Sequence, residues 1–325
     1  MDLSKLKELG LIHKKIRFDI EDWLNNNHSN TIQLLELANY IETLIENHTK
    51  DQRSLNRNIA FPVGLNNNNV VAHYTPNDNS THSFNKEKDM LKIDYGIHYN
   101  GNIIDSAFTY SNNTDLNPIK YAAKEAVSKV IKESGVDVRL LELSELATEI
   151  IESYEYNSKP LSIVNNVASH NIELYKIHGD KLIYGNTELQ KKHCSEDATM
   201  KENECYAIEF YATNGNNNIV MDETNISHYM VNDLLSNTKT LSKNANLLKS
   251  CILNHFHSLP FCKRYISIYN PNIKINRAIK ELFNNNSLIS YPPIIDKSPN
   301  TYVSQFEDTI YITDSTSINL SNNSE

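Results

Sequence analysis

Apolar positions at spacings of three and four run through the first fifty residues and predict two amphipathic helices over 6–24 and 31–46. The second carries Leu34, Leu35, Ala38, Ile41, Leu44 and Ile45 on one side. From Ile59 onward the pattern changes to short β-type runs, with strands expected over 90–99 and 102–110. Between them sits Asn100-Gly101, the strongest two-residue hairpin signal. Two more amphipathic helices are expected over 119–134 and 138–154, with Asp137 as the cap of the second. Strand-like segments surround His170 and His178, and a further strand is expected over 204–213. From about Leu234 to Pro293 the pattern is mostly helical (242–256 and 275–284), which reads as an insertion. A last strand over 302–313 precedes a polar tail, 314–325, expected to be disordered.

Composition narrows the chemistry. Only 8 of the 325 residues are glycine, against an average near 7%, and no G-x-G-x-x-G loop can be written with them. Gly96 and Gly101 have P-loop spacing, but Asn102 stands where a lysine is needed. Familiar nucleotide cradles are thereby excluded. Asparagine runs (25–27, 66–69, 216–218 and 284–286) read as loop-filling composition. A formal charge of -9 with a pI near 5.8 argues against wrapping nucleic acid. Mean hydropathy is -0.51, no apolar run approaches 18 residues, and residues 1–10 lack a signal-peptide core. A cytoplasmic protein is expected. Cys194, Cys205, Cys251 and Cys262 show no C-x-x-C spacing and are expected as free thiols.

The hairpin places two carboxylates together. A two-residue turn at Asn100-Gly101 sets Tyr99 opposite Asn102, Gly96 opposite Asp105 and Asp94 opposite Ala107. Asp94 and Asp105 then share one face as diagonal neighbours, about 7–8 Å apart. Aspartate is a poor strand residue and is rarely buried unpaired, so something must compensate each of them. Glu209 and Glu307 interrupt apolar β-type runs in the same way, and His170 and His178 flank another. Four carboxylates with an imidazole form a hard, oxygen-rich donor set suited to two divalent ions.

The strings Phe61-Pro62-Val63-Gly64, Ala72-His73-Tyr74-Thr75-Pro76-Asn77, Lys92-Ile93-Asp94-Tyr95-Gly96, Ile104-Asp105-Ser106-Ala107-Phe108-Thr109, Ile177-His178-Gly179, Tyr206-Ala207-Ile208-Glu209, Ser227-His228-Tyr229-Met230, Tyr291-Pro292-Pro293 and Gln305-Phe306-Glu307 resemble, in order, the type 2 methionine aminopeptidases. The resemblance implies an α+β (mixed α/β) pita-bread fold with a winged-helix-like helical insertion. The implied division is N-terminal helices over 1–50, a catalytic domain over 51–233 and 294–313, the insertion over 234–293, and the tail.

Position by position, the resemblance implies Asp94, Asp105, His170, Glu209 and Glu307 as ligands of two divalent ions (Mn, Co, Fe or Zn), with Asp105 and Glu307 bridging. His73 and His178 would contact the scissile amide or the transition state, Glu209 would shuttle a proton, and His228 would line the methionine pocket. Phe61 and Tyr302 match pocket-wall positions. The implied activity is removal of initiator methionine when the second residue is small. Nascent N-termini near the ribosome would be the partners of a monomer that binds neither membrane nor nucleic acid. Fumagillin-type epoxides would alkylate His73. A non-catalytic relative binding ribosomes, RNA or proteins, or an Xaa-Pro peptidase of the same fold, are the alternatives. Two departures adjoin the ligands: Ser169 stands where the family has glycine before the histidine, and Phe210-Tyr211-Ala212-Thr213 follows Glu209 where the family has Phe-Gly-Ser. A positive backbone angle at Ser169 or Ala212 would be strained by about 1 kcal/mol.

Overall fold

A computed structural model describes residues 1–49, 57–232 and 241–321. The expected boundaries at 50/51 and 233/234, and residues 322–325 of the tail, lie outside the described residues. The hairpin forms as its turn chemistry dictates: Asn100 (φ 48°) and Gly101 (φ 76°) take the left-handed angles a type I′ turn requires. The strands Leu91–Tyr99 and Asn102–Tyr110 pair in the expected register, Tyr99 with Asn102, Gly96 with Asp105 and Asp94 with Ala107.

This hairpin joins a large, mostly antiparallel sheet. Its central path runs Leu182–Tyr184, Ala168–Ile172, Cys205–Thr213, Val303–Ile312, Asn102–Tyr110, Leu91–Tyr99 and Arg57–Ile59. One face is covered by helices Leu3–Asn26, Asn117–Glu133 and their neighbours. On that side His13 stacks on Tyr95 with ring centroids 4.2 Å apart, and Ser304 Oγ donates to the Ile119 carbonyl at 2.6 Å. Helix Leu34–His48 presents buried Leu37, Ala38, Ile41 and Ile45 at helical spacing and joins the same core.

Several expectations need correction. Residues 31–33 form a short strand before the second helix, which starts at Leu34. Asp137 does not cap the fourth helix: it sits at φ 64°, two residues before the N-cap Arg139, and binds Lys201. His178 lies in a bend, not a strand, after a tight bridge between Glu173 and Lys176. The tail is not disordered up to 321. Ser317–Asn319 pairs with Val303–Ile312, and a Cβ on Gly10 would lie 2.3 Å from the Leu320 carbonyl oxygen.

The stretch read as an insertion holds helices Lys243–His255, Lys263–Tyr269 and Ile275–Asn284 around a core of its own, including Leu248, Ile252, Phe261, Ile266 and Leu282. Its stem is a strand pair, His228–Val231 with Leu288–Tyr291, and so begins before the expected boundary at 234.

Candidate metal centre and active site

Side chains of a strand alternate between faces, so register alone assigns neighbours on the face opposite the helices. Asp94 faces Ala107, Ala107 faces Glu307, and Glu307 faces Glu209, which sets three carboxylates along one transverse row. Extending the same register by two residues places Asp105 beside Thr309, Thr309 beside Ala207 and Ala207 beside His170. The second row therefore carries Asp105 and His170. Alanines 107 and 207 lie between the functional groups and leave open space above the sheet. A donor atom from each of Asp105, His170 and Glu307 falls within 4.8 Å of the others, and His170 Nε2 lies 3.8 Å from Asp105 Oδ2.

A cleft opens over these rows. All five expected ligands line it, and so do His73, His178 and His228. Phe61 forms part of the wall because Gly96 leaves room for its ring, where a Cβ would lie 2.3 Å from the ring edge. Tyr302 is not part of the lining: it packs against the main core, and its backbone N–H donates to Asn214. The histidines form a chain of ring contacts. His170 and His178 stand edge to face at 4.5 Å, and Tyr291 touches both His178 (5.9 Å) and His73 (5.5 Å).

Among the described residues, no lysine or arginine lines the cleft. Burial raises Asp94 to about 7 and Glu209 to about 8. It also drives Asp105 and Glu307 well above the usual carboxylate range, with the neighbouring carboxylates adding to the effect. Burial depresses His170 and His73 to about 4 and His228 to about 3, and holds His178 well below its ordinary value, so these rings are neutral at pH 7. Asp94 Oδ1 and His170 Nδ1 are buried without a hydrogen-bond partner. Clustered buried carboxylates, a neutral imidazole and the orphaned Asp94 oxygen fit divalent cations, which would return the carboxylates to their charged form.

Residues without an assigned role complete the site. Tyr211 Oη donates to Glu209 Oε2 at 2.6 Å, and Gln305 Nε2 bridges Asp94 Oδ2 and Glu209 Oε2, each at 3.3 Å. Period-two alternation from Glu209 and Glu307 places both on the ligand face, which was the available signal. Neither Ser169 nor Ala212 has a positive φ, so the strain conditional on such an angle does not arise. Instead Ser169 Oγ donates to the Glu209 carbonyl (2.8 Å) and accepts from its N–H (2.9 Å), tying the two strands beside a candidate ligand. His73 takes φ 65°, a left-handed angle costing a non-glycine residue on the order of 1 kcal/mol.

A family model described as metallopeptidase family M24 matches residues 4–314. Methionine aminopeptidase 2 of Candida albicans is 36% identical over 309 residues, covering 93% of this chain and 66% of its own length. The chain thus spans just under two thirds of that relative. Among solved structures, a thermophilic Arx1 superposes with TM-score 0.79 at 15% identity, covering 99% of this chain and 91% of that one. A methionine aminopeptidase from Thermotoga maritima superposes with TM-score 0.63 at 13% identity, covering 99% and 98%. At these identities the structural matches establish the shared pita-bread fold.

Proposed function

The chain belongs to metallopeptidase family M24, and from that premise we propose that it is a dinuclear metal-dependent aminopeptidase removing initiator methionine when the second residue is small. The observation carrying this reading is the convergence of Asp94, Asp105, His170, Glu209 and Glu307 on one face of the sheet, beneath a cleft lined by three further histidines. These five residues would hold two divalent ions (Mn, Co, Fe or Zn). Such ions supply Lewis acidity toward the scissile carbonyl and lower the pKa of water.

The rest of the mechanism belongs to the chain. Glu209 Oε2 accepts from Tyr211 and Gln305, which leaves Oε1 to take a proton from water and deliver it to the leaving amine. His178 and His73 are neutral: His178 would offer its N–H to the scissile unit as negative charge develops, whereas the His73 N–H engages the Pro292 carbonyl, which leaves its other nitrogen to accept from the substrate amide. Phe61, Pro62, Ile177, Pro260 and Tyr291 give the cleft apolar walls for a methionine side chain, and His228 closes one end. The substrates would be N-termini of nascent polypeptides, met in the cytoplasm by a monomer. The strand-stemmed region over 228–291 is treated as the inserted unit.

Two observations weigh against the alternative binding-module reading: no candidate ligand is missing, and Arg264 of the insertion is buried against Glu42 and so unavailable to a phosphate backbone. The deciding experiment loads the chain with Mn(II) or Co(II) and measures release of the N-terminal residue from Met-Ala, Met-Leu and Ala-Pro peptides, with a metal count on the same sample. Release from Met-Ala alone, dependent on metal, is expected. Its absence in protein carrying two ions sinks the proposal, and preferential cleavage of Ala-Pro moves it to the Xaa-Pro peptidases. A fumagillin-type epoxide is expected to add one adduct at His73, read by peptide mass spectrometry.

A further inference from the structure

His73 is held in a left-handed conformation that its own side chain does not favour, so its surroundings must impose it. Three side chains grip the backbone around it. Ser227 Oγ donates to the His73 carbonyl (3.1 Å) and accepts from the Thr75 N–H (3.2 Å). Asn66 Oδ1 accepts from the Tyr74 N–H at 2.9 Å. The third is Arg264, on helix Lys263–Tyr269 of the insertion. Its Nε donates to the Pro76 carbonyl at 2.6 Å and its Nη2 to Thr75 Oγ1 at 3.0 Å, while Nη1 and Nη2 reach the two carboxylate oxygens of Glu42 at 2.7 and 2.6 Å.

Every nitrogen of this buried guanidinium is thus engaged, and it joins three segments far apart in sequence: helix Leu34–His48, the turn following His73, and the insertion. A buried ion pair is a poor source of net stability, because desolvation offsets the attraction. It is a precise source of geometry, because the planar fork fixes its partners bidentately. Arg264 does not line the cleft, so any effect it has on chemistry passes through the loop it holds.

We propose that Arg264, clamped by Glu42, is a positioning residue through which the insertion fixes the His73 imidazole over the candidate metal centre. This rests on the proposed role of His73 in the aminopeptidase reaction. The consequence is that the insertion serves the reaction itself as well as any docking role.

The test compares the full chain with Arg264→Lys, which keeps the charge and loses the fork, with His73→Ala, and with the double variant. Arg264→Lys is expected to lower kcat/KM for a Met-Ala peptide by roughly 30- to 100-fold, mostly in kcat, with metal affinity within about twofold of the unaltered chain. In the His73→Ala background the same change is expected to cost less than about twofold, since groups acting through one another are not additive. An Arg264→Lys enzyme within twofold of the unaltered chain overturns the proposal, as does an equal loss in both backgrounds.

If Arg264→Lys does not fold, Thr75→Val, which removes one acceptor of the fork, takes its place with an expected loss of roughly 3- to 10-fold. Failure of the underlying reading is separable from failure of this one. In chain labelled with 15N-histidine, the His73 ring signal, identified by its loss in His73→Ala, is expected to move in Arg264→Lys whether or not peptide is cleaved. An unmoved signal overturns the placement, whereas a moved signal with no His73→Ala effect on cleavage overturns the role given to His73.

Discussion

Along the strand Leu91–Tyr99, Ile93, Tyr95 and Ile97 turn toward the helices while Asp94 turns into the cleft, and the strand Cys205–Thr213 divides Ile208 and Phe210 from Glu209 and Tyr211 in the same way. The helix-covered face is mostly apolar, with His13 stacked on Tyr95 and with Ser106, Ser304 and Asp308 among its buried polar groups. The cleft face pairs carboxylates with alanine and glycine. One face supplies the free energy of folding and the other consumes some of it, since buried like charges without a cation oppose the fold. Five adjacent strands carry both, because alternation lets a residue serve chemistry while its neighbour serves packing.

Substitution on the two faces should therefore act in opposite senses. The largest expected effect is from Glu307→Gln. It should lower peptidase activity by on the order of a thousandfold or more and reduce the bound-metal count. At the same time it should raise the melting temperature of metal-free protein at neutral pH, because folding no longer has to protonate and bury that carboxylate. A fall in that temperature would make Glu307 a structural residue and erase the contrast. On the other face Phe210→Ala should cost about 3–5 kcal/mol of stability by denaturant unfolding, while the metal-binding stoichiometry of the folded fraction stays unchanged.

The pH dependence of metal-free protein should also have two limbs, an alkaline one from the cleft carboxylates and an acid one shared by His13 and the cleft histidines. Asp94 and Glu209 titrate near 7 and 8 in the fold against ordinary values of 3.8 and 4.5. Their contribution is fully present below about pH 4 and is lost as pH rises toward 8. His13, which burial lowers from 6.5 to about 3, behaves in reverse: its contribution is present above pH 6.5 and is lost as pH falls toward 3. Thermal melts across this range should show both limbs, each on the order of a few kcal/mol. Asp94→Asn should reduce only the alkaline limb, and His13→Gln only the acid one, with Glu209 keeping part of the first and His73, His170 and His228 part of the second. Added Mn(II) should abolish the alkaline limb, and a chain stabilised equally by Mn(II) at pH 5 and pH 8 would contradict the proposed ligand set.

The smallest effect is expected from Tyr211→Phe. Losing the hydrogen bond to Glu209 should weaken metal binding by roughly tenfold in a chelator competition, without changing the melting temperature of metal-free protein by more than about a degree. No change in affinity would mean that Gln305 alone orients the Glu209 carboxylate.

Within the fold, local pattern carried far where the interaction was local. The hairpin register followed from Asn100-Gly101, and the helix at 275–284 from its apolar spacing. Asp137 failed as a cap because its backbone turns left-handed and its carboxylate pairs with Lys201 across the surface. The end of the chain reads as polar, yet Ser317–Asn319 pairs with an available strand. His178 looked like a strand residue because Ile177 and Tyr175 flank it at β-like spacing. Its bend is instead set by Tyr175, whose ring packs on Gly101 and whose carbonyl accepts from Ser258 of the insertion.

By itself the sequence determined the residue types, the alternation that puts each candidate ligand on one face, and the motifs that mark the family. Those properties depend on backbone geometry over a few residues. Only the tertiary structure decided that the strand holding Glu307 lies between those holding Glu209 and Asp105, that Tyr211 and Gln305 brace one carboxylate, and that Arg264 reaches the loop of His73. Each of those contacts joins segments far apart in the chain. Which of them meet is set by the packing of the whole core, and no local period encodes it.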